Sequence, residues 1–173
     1  ASPSVVIDAK FNSVRTGPDS RFGITEVQAR SAGSDVDFLV FYAKLPNGKH
    51  LRASYTPDGA GHSLRVRSDD AGQSLVALGW SGKLEGGTLV IEGEREVASE
   101  PMTGLFKLEG YKISNAPALA RLLQVASLTG IFDALKRGLD FVSFDGKYSY
   151  RDSILQIKES RAYGSSIGIT LEG

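Results

Sequence analysis

Val36-Asp37-Phe38-Leu39-Val40-Phe41-Tyr42-Ala43-Lys44-Leu45, followed at once by Pro46-Asn47-Gly48, is the stretch whose reading decides the fold. Val36, Phe38, Val40 and Tyr42 share one parity, and Leu39, Phe41 and Ala43 share the other. Side chains alternate across a strand, so a strand apolar on both parities is expected to be covered on both faces. Pro46-Asn47-Gly48 reads as a hairpin turn leading into Leu51, Ala53 and Tyr55. Pro57-Asp58-Gly59-Ala60-Gly61 is a second turn, before Leu64 and Val66.

The same alternation extends in both directions. Upstream, Val5, Ile7, Ala9 and Phe11 face one way in a first strand, and Phe22, Ile24 and Val27 suggest a second with a slip or bulge. Downstream, Gly86-Gly87 reads as a turn, and Leu89 and Ile91 open the next strand. Met102 to Ile113 reads as a long strand, with Phe106 and Leu108 assigned to opposite faces. Three more strands follow: Leu139 to Phe144, Tyr148 to Glu159 with Ile154 and Ile157, and Ser166 to Leu171. Asp145-Gly146 is the turn between the first two. Gly, Asp and Asn separate these runs at the spacing of an antiparallel meander.

Two helical insertions interrupt the strands. Asp69 or Asp70 caps a short helix from Ala71 to Leu78, closed by Gly79. The second insertion is longer: Asn115 is an N-cap ahead of Pro117, and Leu119, Leu122, Leu123 and Ala126 form one apolar stripe. Ile131, Phe132 and Leu135 make a further stripe, ended by Lys136, Arg137 and Gly138. Each insertion precedes a strand, a glycine turn and another strand, which reads as a weak internal repeat of one sheet-extending unit. The fold class is therefore mainly β: a curved antiparallel sheet of the β-groove or half-pipe type, with short helical insertions near 70–79 and 115–137.

At 173 residues the chain fits one domain. Its 20 Lys+Arg balance 20 Asp+Glu, which argues against nucleic acid or an anionic membrane as a main electrostatic partner, and no basic stripe with interleaved aromatics is present. Cysteine is absent, which excludes disulfides and thiolate metal sites. No apolar run approaches the roughly 20 residues a membrane helix needs.

Groups for catalysis are scarce. His50 and His62 sit beside turns and read as surface residues, and no Gly-x-Ser-x-Gly elbow positions a serine. No pair of His, Asp or Glu has ligand spacing with partners elsewhere, so no metal or cofactor is expected. Asp69-Asp70 is better placed for capping than for acid–base work. The glycine-rich pieces lack a phosphate-cradling context. What remains is apolar surface, which forms either an ordinary core against the helices or a trough for an acyl chain, bound at about 0.8 kcal/mol per CH₂.

The run from Asn115 through Gly138, continued by Leu139-Asp140-Phe141 and Asp145-Gly146, resembles the C-terminal region of AsmA-like proteins of the AsmA/TamB/YhdP type. Further matches are Ser68-Asp69-Asp70-Ala71-Gly72 with Leu78-Gly79, Gly86-Gly87-Thr88-Leu89, and the closing Ala162-Tyr163-Gly164-Ser165-Ser166-Ile167-Gly168-Ile169-Thr170. The resemblance covers roughly residues 35–173. It implies one module of a much longer envelope protein of Gram-negative bacteria, anchored in the inner membrane far upstream and lying in the periplasm. Strand-like sequence at both ends fits such a module. The implied function is non-catalytic: an apolar groove for phospholipid or another acyl-chain lipid moving between the membranes, with neighbouring modules of the parent chain as partners and outer-membrane integrity as the result. Candidate lining residues are Phe38, Val40, Tyr42, Leu89, Ile91, Phe106, Phe141, Ile154 and Ile169, with the concave face left open. The other reading is a scaffold module assisting outer-membrane protein assembly, its apolar face being ordinary core and its strand edges pairing with neighbours.

Overall fold

The computed structural model of the chain describes residues 4–33, 35–80, 83–97, 99–114, 138–164 and 168–171. In chain order these form β1 (Val5–Phe11), β2 (Val14–Arg15), β3 (Arg21–Phe22), β4 (Thr25–Ala32), β5 (Asp35–Lys44), β6 (His50–Asp58) and β7 (Gly61–Ser68). Then come α1 (Ala71–Ala77), β8 (Leu84–Arg95), β9 (Met102–Ile113), β10 (Leu139–Arg151), β11 (Ile154–Gly164) and β12 (Gly168–Leu171). Ten of the strands make one antiparallel sheet, β1-β4-β5-β6-β7-β8-β9-β10-β11-β12, which is not closed into a barrel. β2 and β3 form a separate two-stranded ribbon. The second helical insertion, read over 115–137, lies outside the described residues.

Register sorts the side chains into two chemically distinct faces. One row crosses the sheet as Ala9, Val27, Phe41, Ala53, Val66, Ile91 and Phe106; the next crosses as Ile7, Ala29, Leu39, Tyr55, Leu64 and Gly93. Between them falls the row Asp8, Gln28, Val40, Ser54, Arg65, Glu92, Leu105 and Lys147, and on the far side of the first row Lys10, Glu26, Tyr42, Arg52 and Arg67. One face is thus apolar over nearly its whole width and the other is polar, the pattern of a sheet with one solvated side.

Among the described residues, the helix and the ribbon cover one end of the apolar face. Phe22 on the ribbon and Ala77 on α1 pack with Ala43, Leu45 and Leu51, all nearly solvent-free, and Phe22 meets Phe41 edge-on at 5.7 Å between centroids. Ala71, at the start of α1, belongs to a second cluster with Leu108, Tyr111, Phe141 and Ala162. Gly72 permits this seat, because a Cβ there would collide with the Leu84 carbonyl on β8. Asp70 caps the helix, its Oδ1 accepting from Gln73 N–H at 3.0 Å, and its Oδ2 accepts from Asn47 Nδ2 at 2.9 Å in the β5–β6 turn. The Thr16 hydroxyl donates to the Ala77 carbonyl and ties the ribbon to the helix end.

Several expectations change. The double apolar run of β5 is covered on one face only: Val40 is 37 % exposed, and Phe38 and Tyr42 lie under the guanidinium groups of Arg30 and Arg52 at 5.8 and 5.6 Å. Cation–π packing therefore replaces a second layer. Phe22 is not in the second sheet strand but on the ribbon, because the chain bends at Gly23-Ile24, where Gly23 N–H donates to the Lys44 carbonyl at 2.8 Å. Gly86-Gly87 does not reverse the chain; both residues lie inside β8 with positive φ, and the register with β9 continues through them unshifted. Asp145-Gly146 does not reverse the chain either; it lies at a register shift between β10 and β11, and the hairpin turn falls at Asp152-Ser153, with φ of 50° and 63°. Phe106 and Leu108, two residues apart, share the apolar face, opposite Ile91 and Leu89.

Candidate functional site

Beyond the reach of α1, the apolar face between β7 and β11 is open among the described residues and carries a cavity of about 350 Å³. Leu64 of β7, Ile91 of β8, and Met102 and Phe106 of β9 line it from one side. Phe144, Tyr148 and Tyr150 of β10, with Leu155 and Ile157 of β11, line it from the other. Five adjacent strands meeting on one cavity require the sheet to curve around it. Its volume is at the lower end of the roughly 300–1,000 Å³ of small-molecule sites, and its lining is aliphatic and aromatic apart from two phenol hydroxyls.

Glycines shape its floor. Gly93 on β8 pairs with Gly104 on β9, which pairs with Tyr148 on β10. With no Cβ in that row, the Tyr148 ring lies along the sheet and its hydroxyl reaches Gly93, where a Cβ would collide with it. Phe106 lies beside Gly146 in the neighbouring row, and meets Phe144 edge-on at 4.8 Å.

The nine sequence candidates divide between the faces. Leu89, Ile91, Phe106, Phe141 and Ile169 are on the apolar face, but only Ile91 and Phe106 reach the cavity; Leu89, Phe141 and Ile169 pack in the second core cluster near α1. Phe38, Val40, Tyr42 and Ile154 point to the polar face, paired with Arg30, Gln28, Glu26 and Arg151. Leu64, Met102, Phe144, Tyr148, Tyr150, Leu155 and Ile157 complete the lining and were not singled out. Their parity relative to Ile91 would have identified them, but only with the strand pairing known.

A polar cluster closes the far end of this face. His62 pairs directly with Arg95 across β7–β8, one step beyond Leu64 and Gly93. The His62 ring stacks on Tyr55 at 4.5 Å, and its Nε2–H donates to the Asp37 carbonyl at 3.1 Å. The Arg95 guanidinium lies 5.5 Å from the same Tyr55 ring. His62 is thus no surface residue: its side chain is 13 % exposed. His50 stays more open, bonded to Asp69 at 3.2 Å and stacked on Tyr42. Hydrogen bonding from Arg30 holds the Asp37 carboxyl below its usual range, and burial pushes the Tyr55 and Tyr148 phenols up.

The opposite face carries a wider depression of about 650 Å³, lined in part by Glu92, Lys107, Asp145, Lys147 and Glu159. Its charges pair with one another or with neighbours: Lys147 with Glu159, Lys107 with Glu109, Glu92 with Arg67. Among the described residues no group of three His, Cys, Asp or Glu could hold a metal ion, and no helix is long and apolar enough to cross a membrane. Comparison with protein-family models, with curated proteins and with solved structures finds no match to this chain.

Proposed function

We propose that the open apolar cavity holds the acyl chain of a lipid, and that the chain is a non-catalytic, periplasmic module of an AsmA-like protein passing phospholipid between envelope membranes. The observation that supports this reading is the lining itself: nine side chains from five strands, none charged, on a part of the face that α1 does not reach. Such a surface selects methylene groups by burial, and each added CH₂ should raise affinity about fourfold. Weak, repetitive apolar contact suits sliding along a groove better than capture in one tight pocket.

The test is native mass spectrometry of the purified protein, with lipid extraction of the same sample. Bound phospholipid should disappear in Phe106→Asp and persist in Phe38→Asp, since the two aromatics occupy opposite faces. Circular dichroism checks that both variants fold. A lipid-free mass after incubation with vesicles would sink the reading, as would equal loss in the two variants. The scaffold reading keeps one observation of its own. Edge strand β1 exposes Val5, Val6, Ile7 and Phe11, by 46–75 %, which suits pairing with another strand. Capture of outer-membrane protein segments without lipid would favour it.

A further inference from the structure

Three buried side-chain atoms among the described residues have no hydrogen-bond partner: His62 Nδ1, Arg95 Nε and the Tyr148 hydroxyl. They come from β7, β8 and β10, separated by up to 86 positions in the chain (148 − 62), yet register brings all three to one end of the apolar face. His62 and Arg95 are direct cross-strand partners, with Cα atoms about 5 Å apart in such a pair. The Tyr148 hydroxyl sits over Gly93, two residues and so about 7 Å along β8 from Arg95 on the same face. Tyr148 is 7 % exposed. A buried polar atom without a partner costs about 1–3 kcal/mol, and three gathered at one place call for a common partner.

The chemistry of the donors narrows that partner. Arg95 Nε–H can only donate, so the partner must present an acceptor. The Tyr148 hydroxyl donates as well, and His62 Nδ1 donates when the imidazole is protonated. Arg95 brings one positive charge. The nearby Asp37 carboxylate is compensated by Arg30, whose Nε and Nη2 lie 2.9 and 2.6 Å from its Oδ2. The guanidinium and the phenol, joined by the imidazole as a further donor when it is protonated, suit a negative charge shared over several oxygens, and guanidinium is well matched to both carboxylate and phosphate.

We infer that His62, Arg95 and Tyr148 form an oxyanion site at the end of the cavity, taking the monoanionic carboxylate or phosphodiester headgroup of a lipid whose chain lies over Leu64, Ile91 and Phe106. This rests on the acyl-chain reading of the cavity and adds polarity to it: the headgroup end is the β6–β7 hairpin end, and the chain points toward α1. An apolar trough alone binds a fatty acid and its methyl ester about equally. A trough ending in this cluster prefers the acid.

Isothermal titration calorimetry of the whole chain with decanoate, methyl decanoate and inorganic phosphate separates the possibilities. Wild type should bind decanoate at least tenfold tighter than the ester, and phosphate not measurably. Arg95→Gln should bring the acid-to-ester ratio close to one, and Tyr148→Phe should lower it about threefold, both with unchanged circular dichroism. Equal binding of acid and ester by wild type overturns the oxyanion site while the acyl-chain reading stands, as does an unchanged ratio in Arg95→Gln. Saturable binding of phosphate alone, lost in Arg95→Gln, overturns the lipid origin of the anion. Binding of neither amphiphile overturns both readings together.

Discussion

The two ends of the apolar sheet face are built from the same alternation and have opposite fates. At the α1 end, Ala43, Leu45 and Leu51 are 0–6 % exposed, sealed by Phe22 and Ala77. Between β7 and β11 the same parity yields a cavity, and Tyr150 and Leu155 on its edge are 48 and 59 % exposed. Composition does not separate these regions, since both are built mainly of aliphatic and aromatic side chains. Cover does. Among the described residues, a seven-residue helix and a four-residue ribbon are what lies over this face, and it is core where they reach and open where they do not.

The sharpest way to break the comparison is to truncate the same residue type in each region. Leu45→Ala removes a fully enclosed side chain and should cost about 2–5 kcal/mol in urea unfolding. Leu155→Ala, at an open edge, should stay within about 0.5 kcal/mol. Similar losses at both sites would mean that the groove is packed in solution, and the distinction would fall.

A smaller effect comes from loosening the cover itself. Asp70 caps α1 and accepts hydrogen bonds from Asn47 and Lys49 in the β5–β6 turn. Asp70→Ala should lower stability by about 1–2 kcal/mol through loss of the cap and these bonds. Asp70→Asn should restore most of it, since asparagine caps as well. If Asp70→Ala proves neutral by thermal unfolding, α1 is not held by its cap and some other contact seats it.

The smallest effect at neutral pH is alkaline. Burial pushes the Tyr111 phenol up from 10.0 to about 12 and raises that of Tyr148 as well. The unfolded chain then releases its phenol protons first, so their contribution is intact below pH 10 and is lost as pH rises through about 12. Tm of wild type should fall over that window, and Tyr111→Phe should flatten the fall. The same slope in the variant would mean that Tyr111, beneath Phe141 at 5.1 Å, is wetter than its packing implies.

Much of this was legible in residue order. The hairpin at Pro46-Asn47-Gly48, the turn at Gly59, and the Asp70-capped helix ended by Gly79 all follow from local chemistry, since capping and turn residues act within a few positions. Gly86-Gly87 and Asp145-Gly146 misled because glycine serves a turn and a strand irregularity alike: the first keeps positive φ inside β8 and the second lies at a register shift between β10 and β11. Of the candidate lining, Ile91 and Phe106 were placed on the cavity, while Phe38, Val40, Tyr42 and Ile154 fell on the polar face. A strand that is apolar on both parities conceals which one faces inward, and arginines over Phe38 and Tyr42 made the outer parity tolerable.

The sequence by itself determined that this chain is a mainly β, open meander with a short capped helix, because alternation, turns and caps are local properties of neighbouring residues. Only the tertiary structure decided which face is apolar across the whole sheet, where α1 and the ribbon stop, and that His62, Arg95 and Tyr148 come to one end of that face. Those facts depend on register between strands tens of residues apart. In a sheet of period two, a slip of a single residue would have turned every one of these side chains to the other face.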